Sequence, residues 1–338
     1  MTDLHWPPVP AEHAEPREWA DYDRDIRHHW SWPLPEPASP PTPEEAAAAL
    51  SHANGRIREA ALDRDLPPSL DPLVLLRCVD SAAPVRESAR RKLTAALGSA
   101  SPDPDRLDRL LRHALHLRGR RHGGWALQEV TRAVTEADAW EPAYTSPDRV
   151  LRRFAFETAA ADGRLPLERL ARVAATDGDV IVQRVCAAPA LRDPRPGVLD
   201  TLLTARATAV RADAVTALVR AGRGAEAASW LADRARIVRA CAQWAVRQSG
   251  GDPAAHYRAA APAPGVVAGL GECGTARDHT LLWPLLDHPR PAVRAEAVTA
   301  LAVLGAAADP RVRRMLDDSS PRVRRSAAAA LGAGPSGR

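Results

Sequence analysis

The sequence predicts an all-α fold, an α-solenoid of about ten stacked two-helix repeats. The first observation is a sequence motif, which we call the repeated phrase, with copies at 82–93, 207–218, 289–301 and 320–331. The second is its period of about 29 residues, which accommodates two helices of 10 to 14 residues but not three. The third is that no stretch alternates apolar and polar residues, so no strand is predicted. Such a unit cannot bury its apolar face alone and must stack on its neighbours.

Each repeat reads turn-V-R-x-x-A-x-x-A-L around a branched apolar anchor, and the copies at 125 and 267 are degenerate. Turns rich in Asp, Pro and Ser precede the second helix at 80–84, 287–291 and 317–321. The predicted anchors are Ile57, Val85, Trp125, Leu151, Val182, Val210, Val238, Val267, Val293 and Val323.

This phrase resembles the HEAT-repeat family, most closely the short variety of about 30 residues also found in the phycobilin lyases. The resemblance covers residues 45–334 and implies the fold rather than an activity. No feature of a bilin lyase accompanies the repeat, so that activity is not expected. The predicted organisation is an N-terminal extension at 1–43, a HEAT-type solenoid at 44–334 and a tail at 335–338.

The extension is rich in proline and tryptophan, and polyproline stretches are expected at 7–10 and 33–43. Between them, residues 17–32 can form one helix with Trp19, Ile26 and Trp30 on a common face, together with Tyr22 or Asp23. The open end of a solenoid needs a cover. We therefore predict that this helix caps the first repeat, the alternative being a free docking peptide.

Composition restricts the class of protein. No run of 18 apolar residues is present, so no membrane span is expected, and MTDLHWPPVP lacks the features of an export signal. Both observations favour a cytoplasmic protein. The four cysteines are Cys78, Cys186, Cys241 and Cys273. They are far apart and are predicted to be buried thiols in a reducing compartment. No metal or other cofactor is expected.

Arginine supplies all but one of the 46 basic residues, and the sequence pI is about 9.2. A GC-rich coding sequence and phosphate recognition both remain open as explanations. An Asp of the preceding turn is expected to pair with each arginine that follows an anchor, contributing below about 1 kcal/mol per exposed pair. These arginines are Arg58, Arg86, Arg152, Arg211, Arg239, Arg294 and Arg324.

On a helical wheel, the second and sixth positions after the anchor point away from the core. The HEAT resemblance implies that these second helices line the concave face, so these positions are predicted to meet a client. Trp244 is the aromatic residue predicted to contact the partner, and the alternative is that its ring packs into its own repeat. The set is Glu59, Asp63, Glu87, Arg91, Leu127, Thr131, Arg153, Glu157, Arg184, Ala188, Ala212, Thr216, Ala240 and Trp244.

The segment LRRFAFET at 151–158 resembles a segment of the HEAT-like DNA alkylpurine glycosylases. The corresponding helix of those enzymes carries the motif R-R-x-x-x-E-x-x-R-P. The resemblance implies that Arg153 holds a phosphate and Glu157 stabilises the cationic sugar as a base leaves. Arg184 is expected close by, because it occupies the same position after the anchor as Arg153, one repeat later. The motif's Arg-Pro is Ala160-Ala161 here, and its later tryptophan is absent. An ordinary helix-surface pair is the competing interpretation.

A basic segment at 112–124 is interpreted as a loop inserted in the third repeat, where the interval between anchors stretches to 40 residues. Arg118, Arg120 and Arg121 are its candidate phosphate contacts, and its glycines would let the backbone follow a phosphate. A solvated loop without a ligand is the alternative.

These observations favour a non-catalytic scaffold or adaptor that binds a macromolecular partner, a protein before any other, on its concave face. The alternative is a nucleic-acid-binding protein related to the alkylpurine glycosylases, active or inactive. No catalytic motif of a hydrolase, metalloprotease or nucleotide-binding enzyme is present in the sequence.

Overall fold

The computed structural model describes residues 8–28, 41–98 and 103–332. Within these ranges the chain forms helices, turns and loops, and no strand. The predictions for Trp6, Trp30, Trp32, the proline stretch at 33–40 and the tail at 335–338 lie outside the described residues.

Twenty α-helices follow one another in the described ranges, and shorter helical turns lie between some of them. The short 3₁₀ segments are Pro68–Leu70, Gly224–Trp230, Ala276–Asp278, Trp283–Asp287 and Met315–Asp317, and a π-helical turn spans Ala302–Ala306. The α-helices are α1 (Pro16–His28), α2 (Pro43–Ser51), α3 (Gly55–Leu62), α4 (Asp71–Arg77), α5 (Ala83–Leu97), α6 (Pro104–Leu117), α7 (Gly123–Glu136), α8 (Glu141–Thr145), α9 (Arg149–Asp162), α10 (Leu167–Thr176), α11 (Val180–Arg192), α12 (Pro196–Leu203), α13 (Thr208–Arg220), α14 (Arg236–Gln248), α15 (Pro253–Ala259), α16 (Pro264–Cys273), α17 (His279–Leu282), α18 (Pro291–Leu301), α19 (Pro310–Arg314) and α20 (Pro321–Gly332).

The repeated phrase forms the second helix of a repeat in each clear copy. In α18, Val293, Ala297 and Leu301 are all fully buried, as the spacing of four residues along one helix face requires. Proline stands at the start of α5, α18 and α20, where its missing N–H leaves no helical bond unmade. The prediction of an all-α solenoid built from two-helix repeats is confirmed.

The chain divides into two compact units, residues 1–155 and 156–338, and the boundary falls within α9. In unit 1, the first helices α2, α4 and α6 contact one another in sequence, and the second helices α3, α5 and α7 do the same. In unit 2, α10 packs against α12, while α11, α13 and α14 follow one another in a second layer. Each unit therefore has two layers of helices with the core between them.

Helix α1 packs against α2, α4 and α6 of unit 1. Trp19 is 1% exposed, and Tyr22, Asp23 and Ile26 of the same face are also buried. The helix therefore contributes aromatic and aliphatic side chains to the core of unit 1. Its role as a cap of the first repeat stays a proposal.

Two sequence assignments in the third repeat were wrong. Trp125 is only half-buried, while Ala126 and Val130 are fully buried, so the core position of α7 is one residue later than predicted. The basic segment is not a long inserted loop, because α6 continues to Leu117 and α7 begins at Gly123, which leaves a turn at 118–122. The apolar spacing of Leu107, Leu110 and Leu111 continues through the segment and supports the helix.

Several of the arginines that follow an anchor have two kinds of partner, backbone oxygens and a carboxylate. Arg58 donates through Nη1 to the backbone oxygens of His52 and Ala53, in the turn that precedes its own helix. Its Nε and Nη2 donate to the carboxylate of Asp80, at 3.0 and 2.9 Å, in the turn of the following repeat. Arg211 with Asp233 and Arg294 with Asp318 repeat this arrangement.

The expectation that the carboxylate of the preceding turn is the partner was therefore wrong. Arg86 reaches the turn before its own helix through the backbone oxygen of Asp80, whose carboxylate already accepts hydrogen bonds from Arg58. The side chains of Arg58 and Asp80 are only 4% and 0% exposed, so this pair is buried rather than a surface pair. We call Asp80, Asp233 and Asp318 the junction aspartates, because each bonds arginines of two consecutive repeats.

Candidate functional site

The exposed face of the second helices carries most of the predicted client-facing residues. Glu59, Leu127, Thr131, Arg153 and Thr216 are half-buried. The exposed residues of the set are Asp63, Glu87, Arg91, Glu157, Arg184, Ala188, Ala240 and Trp244. Ala212 is an exception, since it is buried in α13. Helix α13 lies between α11 and α14.

Trp244 is 42% exposed on α14, so it does not fold into the packing of its repeat. Ile237, 55% exposed, Ala240 and Arg247 are also exposed, and with Trp244 they have the spacing of one helix stripe. Ala240 and Trp244 were predicted from the helical wheel, whereas Ile237, which directly precedes the anchor Val238, was not. Together they form an apolar stripe with a basic end.

Helix α11 presents a corresponding stripe. Ile181, Arg184 and Ala188 are exposed at positions equivalent to Ile237, Ala240 and Trp244 of α14. Between them, α13 has small side chains at these positions, among them Ala209, Ala212 and Thr216. We call the exposed residues Ile181, Arg184, Ala188, Ile237, Ala240 and Trp244 the α11/α14 surface.

The residues of the glycosylase-like segment lie on α9. Glu157 is exposed, but Arg153 is half-buried, so the prediction that both side chains are exposed was wrong for Arg153. Arg153 belongs to unit 1, whereas Glu157 and Arg184 belong to unit 2. Their grouping into a single site, with Arg153 and Arg184 on phosphates and Glu157 beside the sugar, stays a prediction.

The basic segment at 112–124 divides between a helix and a turn. Arg112 lies on α6 and pairs with Asp108 at 3.0 Å. His113 is buried, and burial, reinforced by the charges of His116 and Arg112, lowers its pKa to about 4. It is therefore neutral at physiological pH. Arg118, Arg120 and Arg121 are exposed in the turn at 118–122, as predicted.

Further cations lie beside this turn. Slight desolvation and the positive charges of Arg86, Arg121 and Arg90 all lower the pKa of His122. The guanidinium of Arg90 lies over the ring of Trp125, 4.6 Å from its centroid. This distance is within the range of a cation–π contact.

An open cavity of about 560 Å³ adjoins the Trp125 ring. We call this cavity the Trp125 groove. Its lining is mixed but has more arginine than carboxylate, and Trp125 provides an aromatic wall. The sequence pattern does not reveal this groove, because it places Trp125 in the core. The residues lining it are Glu87, Arg90, Arg91, Thr94, Ala95 and Trp125.

No group of three or more His, Cys, Asp or Glu side chains that could hold a metal ion lies in the described ranges. The four cysteines form no disulfide; Cys78 and Cys186 are buried as predicted, while Cys241 and Cys273 are half-buried. Burial raises the pKa of the Cys78 thiol to about 12, so it is protonated. In the part of the chain that the structure describes, no helix is both long and apolar enough to cross a membrane.

Comparison with solved structures finds human deoxyhypusine hydroxylase in complex with glycerol, at 18% identity. The match covers 82% of this chain and 96% of that one, with a TM-score of 0.26. An engineered protein matches at 16% identity over 77% of this chain and 94% of its own, with a TM-score of 0.16. At these TM-scores neither structure carries an argument about function. No curated protein matches the chain.

Comparison with protein families matches residues 279–334 to the family described as HEAT repeats. These residues include α18 and α20, which carry two copies of the repeated phrase. The resemblance to this family is confirmed, whereas nothing in the comparisons supports the resemblance to the glycosylases. Residues 279–334 therefore carry HEAT repeats.

Proposed function

We propose that this protein is a non-catalytic scaffold that binds a protein partner through the α11/α14 surface. The observation that carries the proposal is the exposure of Ile237 and Trp244 on one stripe of α14. Large apolar side chains that remain in water lose the stabilisation that burial provides, and tryptophan is enriched among the anchors of protein interfaces.

The charge of this surface indicates the chemistry of the partner. Exposed arginines lie at both ends of the α14 stripe, Arg234 and Arg236 before it and Arg247 after it. Arg184 adds a further cation on α11. A segment with apolar side chains flanked by Asp or Glu would complement this pattern, since rim charges steer association and select partners.

The first experiment captures the partner by crosslinking and compares two positions on the surface of this protein. A photo-crosslinking amino acid replaces Trp244 in the full chain, expressed in its own cells. Leu281 receives the same substitution as a control, because it is similarly exposed in unit 2 but lies outside the α11/α14 surface. We expect a discrete protein adduct at position 244 and none at 281. Adducts of equal yield at both positions, or none at 244, would contradict the proposal.

The second experiment measures affinity with the purified partner. Trp244→Ala should weaken binding by at least about thirtyfold, which corresponds to about 2 kcal/mol for a buried aromatic anchor. Leu281→Ala should leave the affinity unchanged. Equal affinities of the Trp244→Ala variant and the unmodified protein would reject this face as the binding surface.

We propose single-stranded nucleic acid as a second candidate ligand, bound by unit 1. The turn at 118–122 and the Trp125 groove combine arginines with a half-buried aromatic ring. Proteins that bind single strands without sequence preference use cationic grooves and stacking on aromatic rings.

Replacing Arg118, Arg120 and Arg121 together by Gln tests this candidate. Binding of a labelled single strand at about 50 mM salt should weaken, and the salt slope should fall by about 0.7 for each phosphate that the variant no longer binds. A control variant replaces three exposed arginines of unit 2 by Gln: Arg277, Arg290 and Arg313. No binding by the unmodified protein, or equal losses in both variants, would remove nucleic acid as a specific ligand of this surface.

A further inference from the structure

A second cavity in unit 1 opens beside α1. Its volume is about 300 Å³, and its lining comes from α1, from the end of α4 with the turn that follows, and from the turn at 118–122. We call it the α1 pocket. The charged residues in its lining are Asp23, Arg24, Arg27, Arg77, Asp80 and Arg120.

A network of buried charges forms the floor of the α1 pocket. Arg77 donates to Asp23 at 2.6 Å, and Arg58 donates to Asp80 at 2.9 Å. Arg27 bridges the two carboxylates, with its Nε 3.1 Å from Asp23 and its Nη2 3.3 Å from Asp80. Three guanidinium groups therefore share two carboxylates.

Positive charge exceeds negative charge at this site. Arg77 is almost fully buried, and burial lowers its pKa to about 10, against the opposing charge of Asp23. Arg120 brings a further cation to the wall of the pocket, while Arg24, also in the wall, pairs with Asp21. Uncompensated charge is costly where water is partly excluded, so an anion in the pocket would stabilise the arrangement.

Hydrogen-bond donors remain available for such an anion. Within the described ranges the Arg120 side chain forms no ion pair or hydrogen bond, and Arg27 uses only Nε and Nη2. The Ser81 hydroxyl, also in the lining, adds a neutral donor. Both carboxylates are occupied by arginines, which limits their repulsion of a bound anion.

We propose that the α1 pocket binds a phosphate group, with Arg27, Arg120 and Ser81 as its donors. Guanidinium groups suit phosphate oxygens because their planar N–H groups match them in pairs. A cavity of about 300 Å³ is large enough for a phosphate and several waters, at about 30 Å³ per water. Because the anion would contact α1 and the turn at 118–122 together, it would hold the N-terminal helix on unit 1.

This proposal does not depend on the scaffold function, whose surface lies in unit 2. The test titrates inorganic phosphate into the full chain by calorimetry, at a constant ionic strength of about 0.1 M. We expect saturable binding of one phosphate with a Kd of about 1 mM or tighter. Arg120→Gln should weaken that binding by about tenfold or more. Because Arg120 is exposed and lies outside the buried network, the variant should stay folded.

Arg277→Gln is the matched control, since it removes an exposed arginine of unit 2 and changes the net charge equally. It should leave the phosphate affinity within about twofold of the unmodified protein. No saturation by about 20 mM phosphate would overturn the proposal, since that corresponds to binding weaker than about 2.3 kcal/mol. Equal affinities of the Arg120→Gln variant and the unmodified protein, or equal losses in both variants, would also overturn it.

Two further ligands distinguish the sources of the phosphate group. A nucleoside monophosphate carries a phosphomonoester, and a short single strand without terminal phosphates carries only phosphodiesters. If the affinity of the monophosphate depends on Arg120, a free phosphomonoester is the ligand. If the affinity of the strand depends on Arg120 and inorganic phosphate competes with the strand, a nucleic-acid backbone is the source. Either result supports the site.

Discussion

Arg294 and Asp318 form two hydrogen bonds of 2.8 Å each, although they belong to consecutive repeats. The backbone oxygen of the same aspartate accepts a bond of 2.7 Å from Arg324 of its own repeat. Asp318 also accepts a bond from the backbone N–H of Ser320, at the start of the next helix. Asp318 thus holds the turn that precedes α20 and joins two consecutive repeats.

Removing a junction aspartate should destabilise the unit that contains it. Asp80→Asn leaves the buried Arg58 and Arg77 without their full charge compensation, so we expect the unfolding free energy of the protein to fall by about 3 to 5 kcal/mol. Urea denaturation followed by circular dichroism measures the change. Glu136→Gln removes one carboxylate of an exposed pair with Arg132 and should leave the midpoint unchanged. Similar midpoints for the two variants would show that the junction is not stabilising.

Stability should decrease in acid because of these aspartates. Burial would raise the pKa of Asp80, but hydrogen bonds from Arg58 and the charge of Arg77 outweigh it and hold the pKa below the ordinary value of 3.8. Hydrogen bonds from Arg211 and Arg294 likewise leave the pKa values of Asp233 and Asp318 lowered. The unfolded chain therefore binds protons more readily, so this stabilisation is complete above about pH 5 and is lost as the pH falls through the folded pKa values.

Urea unfolding at several pH values below about 5 measures that loss. Asp80→Asn should flatten the acid dependence as well as lower the plateau at neutral pH, because the amide does not titrate. An unchanged slope below about pH 4 in this variant would show that Asp80 contributes nothing to the acid dependence.

Gly269 allows the close approach of Tyr257 to α16. A Cβ at this position would lie 2.1 Å from the tyrosine ring, so Gly269→Ala requires the ring to move. The Tyr257 hydroxyl would then lose its 2.8 Å hydrogen bond to the backbone oxygen of Leu231. We expect a loss of about 1 to 3 kcal/mol in unfolding free energy. Gly197→Ala, where a Cβ meets no atom within 4 Å, should cause no loss.

Removal of residues 1–41 tests the proposed cap while keeping the Thr42 side chain that caps α2. The truncation uncovers the surface that Trp19 occupies and leaves Arg77 without Asp23. We expect lower stability and aggregation, measured by circular dichroism and light scattering. A truncated chain that remains a monomer of unchanged stability would contradict the cap and favour the docking peptide.

Glu157 separates an enzyme from a scaffold. In a glycosylase, Glu157→Gln would abolish base release while DNA affinity stays nearly intact. In the scaffold that we propose, the unmodified protein releases no 3-methyladenine or 7-methylguanine from alkylated DNA. Release that depends on Glu157 would replace the scaffold with the catalytic alternative.

The sequence by itself determined the repeat, its two-helix content and most of the core. Val85, Val210, Val293 and Val323 are buried as predicted, because the spacing of apolar residues along one helix reports directly which side faces the core. The aromatic face of α1 followed from the same rule, which placed Trp19 and Ile26 together.

Only the tertiary structure decided which groups meet between repeats. Asp80 pairs with Arg58, 22 residues earlier, because stacking places the turn of one repeat against the helix of the previous one. The same packing buried Ala212, left Trp125 under Arg90 and brought Arg120 to the α1 pocket. Helix periodicity describes one element at a time, whereas these contacts depend on how neighbouring elements are packed, and that is decided by the combined burial of many side chains.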